Sequence, residues 1–250
     1  YILTLPQRET EEILTAAVKA EPTVELRRGW ELVGWESRGG WGARDREGLP
    51  GAARDRLGVT VRALTGGVER TVSGRYLCGC DGKWSTLRSG LGVPWRGKLL
   101  SDAFAMADIV DRTNLGETAY LYFTRRGSVE SFPLPGGVRR WIVQTENYLP
   151  EPPKGLLQRL VGERTGISLI GHEEQWRSSF RTERREAARW GDPPLFLAGD
   201  AAHLMPPIGG QGMNVGLGDA EELAVALIRV LRGGEELWAD DRVDMAGPAE

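Results

Sequence analysis

Two stretches of the chain combine residue types suited to gripping a ligand. The first reads LFLAGDAAHLMPPIGGQGMN over Leu195–Asn214. The apolar run Leu195–Ala198 has the length of a compact buried strand, and Gly199-Asp200 sets a carboxylate at its carboxyl end. In open α/β sheets that edge is where ligands bind. A carboxylate placed there accepts hydrogen bonds from ligand hydroxyls. Gly209, Gly210 and Gly212 then remove Cβ atoms around Gln211, so backbone can approach a ligand closely. A helix beginning near Met213 aims its free N–H groups and positive dipole end at the same place. Pro206-Pro207 forms a rigid wall without an N–H at either residue.

The second stretch, YLCGCDGKWSTLR over Tyr76–Arg88, runs a strand into an Asp81-Gly82 turn. Ser85 stands where an N-cap would open a helix carrying Arg88. Taken alone, this pattern fits a plain strand-turn-helix connection equally well. A weaker third signal is Gln7, which opens a helix over Arg8–Ala20. A flavin suits the first stretch: its reduced ring carries negative charge along the N1–C2=O edge. A helix N-terminus aimed there stabilises that anion by preorganised electrostatics.

The first stretch closely resembles, from Leu197 to Asp219, the second FAD motif of the class A flavoprotein monooxygenases, the p-hydroxybenzoate hydroxylase-like family of aromatic-ring hydroxylases. The second stretch resembles that family's Asp-Gly motif, with Asp81, Gly82, Ser85 and Arg88 in place. The resemblance implies that Gly199 and Asp200 meet FAD, Asp200 on the ribityl chain. It implies that Pro206, Pro207, Gly209, Gly210, Gln211, Gly212, Met213 and Asn214 line the isoalloxazine ring, and that Asp219 orders the helix. It gives Asp81, Gly82 and Arg88 contacts with FAD and a part in the use of NAD(P)H. Gln7 falls where the family often has a Gln or Arg against the flavin. In the implied reaction NADPH or NADH reduces FAD, and reduced flavin with O2 forms a C4a-hydroperoxyflavin. That species hydroxylates or epoxidises an organic substrate, aromatic or polyketide-like. No protein nucleophile or metal is required, and catalytic residues stay unassigned. His203, a fixed part of the motif, reads as a packed, hydrogen-bonded residue rather than a general base.

The elements that must position these motifs follow from periodicity. Ile13, Leu14, Ala17 and Val18 recur at helical spacing within Arg8–Ala20. Strands are expected at Val24–Arg27, Glu31–Glu36, Gly58–Leu64, Glu69–Val72 and Arg75–Cys80. After Gly97 come Ser101–Val110, Thr118–Thr124, Val129–Pro133 and Arg139–Gln144, separated by Gly-containing turns. A helix over Lys154–Glu163, a strand over Glu174–Phe180 and a long helix over Met213–Leu231 complete the pattern. The expected fold is α/β: a FAD-binding domain of the glutathione-reductase-like Rossmann variant, 1–97 with 186–250. An antiparallel substrate domain, 98–185, is inserted into it. Trp141 sits on a strand of that insert, where core packing outweighs a pocket-lining role. Ser37–Leu57, rich in Gly and Arg, reads as a solvated insertion, and the polar tail after Gly233 as disordered.

Composition narrows the remaining classes. A net charge of −3 with no basic stripe argues against a nucleic-acid partner. No apolar stretch reaches the length of a membrane span. Cys78 and Cys80 show neither a disulfide framework nor zinc spacing, which fits a reduced, cytoplasmic protein. No set of glycines at i, i+2 and i+5 occurs, whereas the family opens with such a turn on the FAD pyrophosphate. The chain is therefore expected to align with the middle and later part of such an enzyme. Two alternatives stand beside an active monooxygenase: a non-catalytic remnant that does not hold FAD alone, and a reductase or halogenase on the same scaffold. The Trp-x-Trp signature expected of a halogenase does not occur.

Overall fold

The computed structural model describes residues 4–38, 58–207 and 210–232. Most of the expected insertion Ser37–Leu57, the tail after Gly233, and Gly209 of the candidate turn lie outside the described residues. In chain order the elements are α1 (Gln7–Ala20), β1 (Glu31–Arg38), β2 (Gly58–Thr65), β3 (Val68–Gly74), β4 (Leu77–Gly79), α2 (Thr86–Gly90), β5 (Trp95–Val110), β6 (Tyr120–Thr124), β7 (Gly127–Leu134), β8 (Val138–Thr145), α3 (Leu156–Thr165), β9 (Glu174–Ala187), β10 (Gly191–Asp192), β11 (Leu195–Leu197), β12 (His203–Leu204) and α4 (Gln211–Leu231). A 3-10 turn, Gly199–Ala201, joins β11 to β12. The chain divides into two compact units, residues 4–26 with 100–182, and residues 27–99 with 183–232, the boundaries falling inside β5 and β9.

In the first unit the strands stand in the order β9-β5-β8-β7-β6. Alternation along the strands sorts the residues by face. Ala105, Ala107 and Ile109 of β5, Val129 of β7, and Trp141 and Val143 of β8 form one buried cluster with Leu157 and Val161 of α3 and with Leu169. Trp141 is thus a core residue. Arg139 is wholly buried, and its guanidinium makes four hydrogen bonds: Nε donates to Asp111 Oδ2 at 2.8 Å, and Nη1 donates to Thr118 O and Ser131 Oγ, both at 3.0 Å. Nη2 donates to Gly116 O. This fan of bonds ties the β5–β6 connection to the sheet.

The second unit holds two small sheets. One is antiparallel with order β1-β2-β3, and the other has the order β10-β11-β4, with β11 parallel to β4. Leu87, Val93, Ala187, Leu197, Ala201 and Ala202 form its main core, and Phe196, Ala198 and Leu223 a second cluster.

Several elements depart from the sequence reading. No strand forms over 24–27; Val24 and Leu26 are exposed, and no ladder partner reaches them among the described residues. β5 starts at Trp95, earlier than Ser101, and β9 runs on to Ala187, past Phe180. The charged stretch 181–186 hides that continuation, because paired backbone rather than apolar alternation sustains it. α1 has helical periodicity, yet none of its residues is buried. Local pairs support it instead: Gln7 Nε2 donates to Glu11 Oε1 at 2.7 Å, and Arg8 faces Glu12 at 3.8 Å.

Candidate functional site

Parallel pairing of β4 with β11 sets the site. Leu195 stands opposite Leu77, Phe196 opposite Cys78 and Leu197 opposite Gly79. The ladder is extended by Ala198 N–H donating to Gly79 O at 3.1 Å. Both strands therefore end at the same sheet edge, and the turns that follow them carry Asp81 and Asp200. Two motifs far apart in sequence become neighbours through this one register.

The turn after β4 is built from local hydrogen bonds. Gly82 takes φ of 78°, a left-handed conformation that favours glycine. Asp81 Oδ2 accepts N–H bonds from Thr86 at 2.7 Å and Leu87 at 3.3 Å. Ser85 Oγ accepts from Arg88 N at 3.0 Å, the N-cap the sequence suggests. Arg88 points inward and is 5% exposed. Its Nη1 donates to Ala201 O at 2.8 Å, its Nη2 to Lys83 O at 2.6 Å, and its plane lies 3.8 Å from the centre of the Trp95 ring. Burial lowers its pKa, and nearby Asp81 opposes that shift. Lys83 pairs with Glu183 and, by donating to it, lowers the pKa of its carboxyl.

The turn after β11 is held from the helix side. Gly199 takes φ of 58°. A Cβ on Gly216 of α4 would come within 3.3 Å of the Gly199 Cα, so the two glycines permit close approach of turn and helix. Asp219 Oδ2 accepts the N–H of Gly199 at 2.9 Å and lies 2.7 Å from His203 Nε2. The His203 ring stacks on Trp190 with centroids 4.9 Å apart. His203 is thus buried and hydrogen-bonded, as the sequence suggests.

Asp200 is exposed, and its carboxylate has no hydrogen bond or ion pair among the described residues. The chain then passes Pro206 and Pro207 to Gly210, whose N–H donates to Pro207 O at 2.8 Å. Gly210 occupies the N-cap of α4 with φ of 67°, and no side chain caps this helix. Gln211, Met213 and Asn214 lie exposed on the first turn, and a Cβ added to Gly212 would meet only Met205 Cγ at 3.9 Å. The exposed Asp200 carboxylate and the uncapped N-terminus of α4, both in this unit, are each suited to a ligand with hydroxyls and an electron-rich edge.

Of the sequence candidates, Asp81, Gly82, Arg88, Gly199, Asp200, Pro206, Pro207, Gly210, Gln211, Gly212, Met213 and Asn214 all lie in this one unit. Gln7 lies in the other. Trp95 and Trp190, which back Arg88 and His203, escaped the sequence reading, since no motif spacing connects them to their partners. Cys78 and Cys80 are free thiols beside the site. Burial, aided by Cys80, pushes Cys78 up to about 11, and burial with Asp81 and Asp219 raises Cys80, so both stay protonated near neutrality. Among the described residues no cluster of His, Cys, Asp or Glu could hold a metal, and no helix is long and apolar enough to cross a membrane.

The FAD binding domain family matches residues 1–241. Rifampicin monooxygenase from Streptomyces venezuelae is 32% identical over 251 residues, which cover 96% of this chain and 47% of that protein. The chain thus spans about half the length of this curated relative. Among solved structures, the anhydrotetracycline hydroxylase OxyS from Streptomyces rimosus is 31% identical with a TM-score of 0.65, over 92% of this chain and 44% of that one. An aklavinone-11 hydroxylase solved with FAD and aklavinone is 25% identical with a TM-score of 0.70, over 92% of this chain and 42% of that one.

Proposed function

This chain belongs to the FAD binding domain family of class A aromatic monooxygenases, and from that premise we propose that it carries the flavin-ring site and the substrate-facing sheet of an NAD(P)H- and O2-dependent monooxygenase. The observation that carries the reading is the shared edge of β4 and β11, where the turns bearing Asp81 and the exposed Asp200 follow the two strands and α4 packs on the second turn through Gly216 and Asp219. The residues present fit FAD: Asp200 offers acceptors to ribityl hydroxyls, and the amides of the first α4 turn offer donors to the pyrimidine edge of the ring. Gly210 and Gly212 leave room there, because neither carries a Cβ.

When bound, FAD supplies hydride acceptance from NAD(P)H and oxygen transfer from O2 to an organic substrate. The protein's share is placement. Arg88 and the His203–Asp219 pair hold the two turns in register, and the α4 dipole favours negative charge on the ring edge. The unit containing 27–99 and 183–232 takes the FAD role in this reading, and the sheet of residues 100–182 takes the substrate role. Relatives named for rifampicin and anhydrotetracycline support a polycyclic aromatic or polyketide-like substrate. Two free thiols support a reducing, cytoplasmic setting.

The test is to load the purified chain with FAD and follow NADPH and NADH oxidation with polycyclic phenols under air. Consumption that depends on the phenol, with a product heavier by one oxygen atom, supports the reading. A flavin-loaded chain that oxidises NAD(P)H with no oxygen in any product contradicts it.

A further inference from the structure

On β7, Val129 and Ser131 turn toward the face covered by α3, so Glu130 between them turns to the opposite face. Register places Glu130 opposite Leu121 on β6 and Ile142 on β8, with Met106 of β5 opposite Ile142. Glu130 therefore stands in a row of apolar side chains. It is buried to 9% exposure, and among the described residues it has no hydrogen bond or ion pair.

The two polar side chains diagonal to it are occupied elsewhere. Arg140 binds Asp108 bidentately, with Nε to Oδ1 at 2.7 Å and Nη2 to Oδ2 at 2.8 Å. Gln144 Nε2 donates to Asp102 Oδ1 at 2.8 Å, and its Oε1 accepts from Ser128 N at 3.2 Å. Arg140 and Gln144 are thus each engaged with an aspartate rather than with Glu130. Burial also raises its pKa, which favours the neutral carboxyl. Most of the side chain is shielded from water while its carboxyl stays unpaired among the described residues, which leaves that carboxyl available to a ligand group.

We infer that Glu130 is a substrate-orienting residue, whose carboxyl takes the hydroxyl of an aromatic ligand lying on the row Met106–Ile142–Glu130–Leu121. Neighbouring Leu121 is 44% exposed, which leaves this end of the row open. The inference rests on the monooxygenase reading only in taking the ligand to be an aromatic organic compound. The carboxyl can bond a phenol hydroxyl, whereas its partners along the row, Leu121, Ile142 and Met106, are apolar and the diagonal Arg140 and Gln144 are engaged with aspartates. The row therefore selects a ring that is apolar apart from one hydroxyl.

The test compares 1-naphthol with 1-methoxynaphthalene by calorimetric titration of the full chain, wild type, Glu130→Leu and Glu130→Gln. Wild type should bind the naphthol about tenfold more tightly than the ether. Glu130→Leu should bring the ratio close to one while leaving ether affinity in place, and Glu130→Gln should keep part of the preference. Wild type that binds neither compound, or prefers neither, overturns the assignment, as does a Glu130→Leu protein that keeps the preference. Thermal unfolding gives a second readout: without a partner inside the protein, Glu130→Leu should melt at or above the wild-type temperature. A clear drop would reveal an internal partner and overturn the idea. FAD titration on the same samples separates the two claims. Lost flavin binding with intact phenol preference would count against the flavin site alone, and the reverse against Glu130 alone.

Discussion

Arg88 Nη1 donates to the carbonyl oxygen of Ala201 at 2.8 Å, and this bond joins the Asp81 turn to the Asp200 turn. The same guanidinium holds Lys83 O and covers the Trp95 ring. One buried cation thus fastens the ends of two parallel strands. Arg88→Met should leave both carbonyls short of a donor and destabilise the protein by about 2–3 kcal/mol. Urea unfolding checks this. FAD affinity should fall as well, because the two turns lose their common brace.

Asp219 does for the other side what Arg88 does for this one, since a single oxygen serves both Gly199 N–H and His203. Asp219→Ala should cost about 1–3 kcal/mol, and Asp219→Asn less, because its amide oxygen can still accept the Gly199 N–H. Near-ultraviolet circular dichroism should report a changed environment for Trp190, which stacks on His203.

The glycines at the turn predict a contrast. Gly199→Ala meets a left-handed φ of 58° and should lose about 1 kcal/mol from that strain. Gly216→Ala introduces a Cβ 3.3 Å from the Gly199 Cα, so backbone must yield by a few tenths of an ångström. That displacement moves α4 relative to the β11 turn. The expected result for Gly216→Ala is a loss of FAD affinity larger than its loss of melting temperature would suggest, measured by titration and thermal unfolding together.

Lys83 and Glu183 give the pH dependence its acid limb. Lys83 donates to Glu183 and lowers its pKa in the folded state. A lowered carboxyl contributes stability above its unfolded value, about 4.3, and loses it as pH falls through the folded value. Glu130 acts with the opposite sign: raised by burial, it costs stability as pH rises above that unfolded value. Lys83→Met should flatten the loss of stability on acidification, and Glu130→Gln should flatten the decline on the alkaline side of the carboxylate range. Melting temperatures across about pH 3–7 check both signs.

The chemistry-bearing turns were legible in the sequence because their residue types are dictated locally. Gly199, Gly210 and Gly82 adopt left-handed φ values and Ser85 caps its helix, so the strand-turn-helix order of both motifs was readable, while β4 is shorter than Arg75–Cys80 and α4 begins at Gln211 rather than near Met213. Long-range partners were not legible in this way. Nothing in the spacing tells Arg88 of Ala201, or Arg139 of Asp111, because those bonds depend on which strands lie side by side. Strand limits failed for a related reason. Val24 and Leu26 have the right propensities but no ladder, while the charged end of β9 has the wrong pattern but pairs through His203 and Leu204 of β12. Glu130 looked like any strand residue until the register isolated it.

The most direct measurement is the FAD affinity of the wild-type chain beside that of Asp200→Ala, by quenching of flavin fluorescence. Asp200 is exposed and has no hydrogen bond or ion pair among the described residues, so the substitution should leave the melting temperature within a degree or so, the usual outcome for a surface change. The wild type should bind one FAD, and the variant should bind at least about tenfold more weakly, the loss of a charge-assisted bond to a ribityl hydroxyl. Equal affinity in the two proteins, or no binding by a folded wild type, would contradict a flavin site at the edge of β4 and β11.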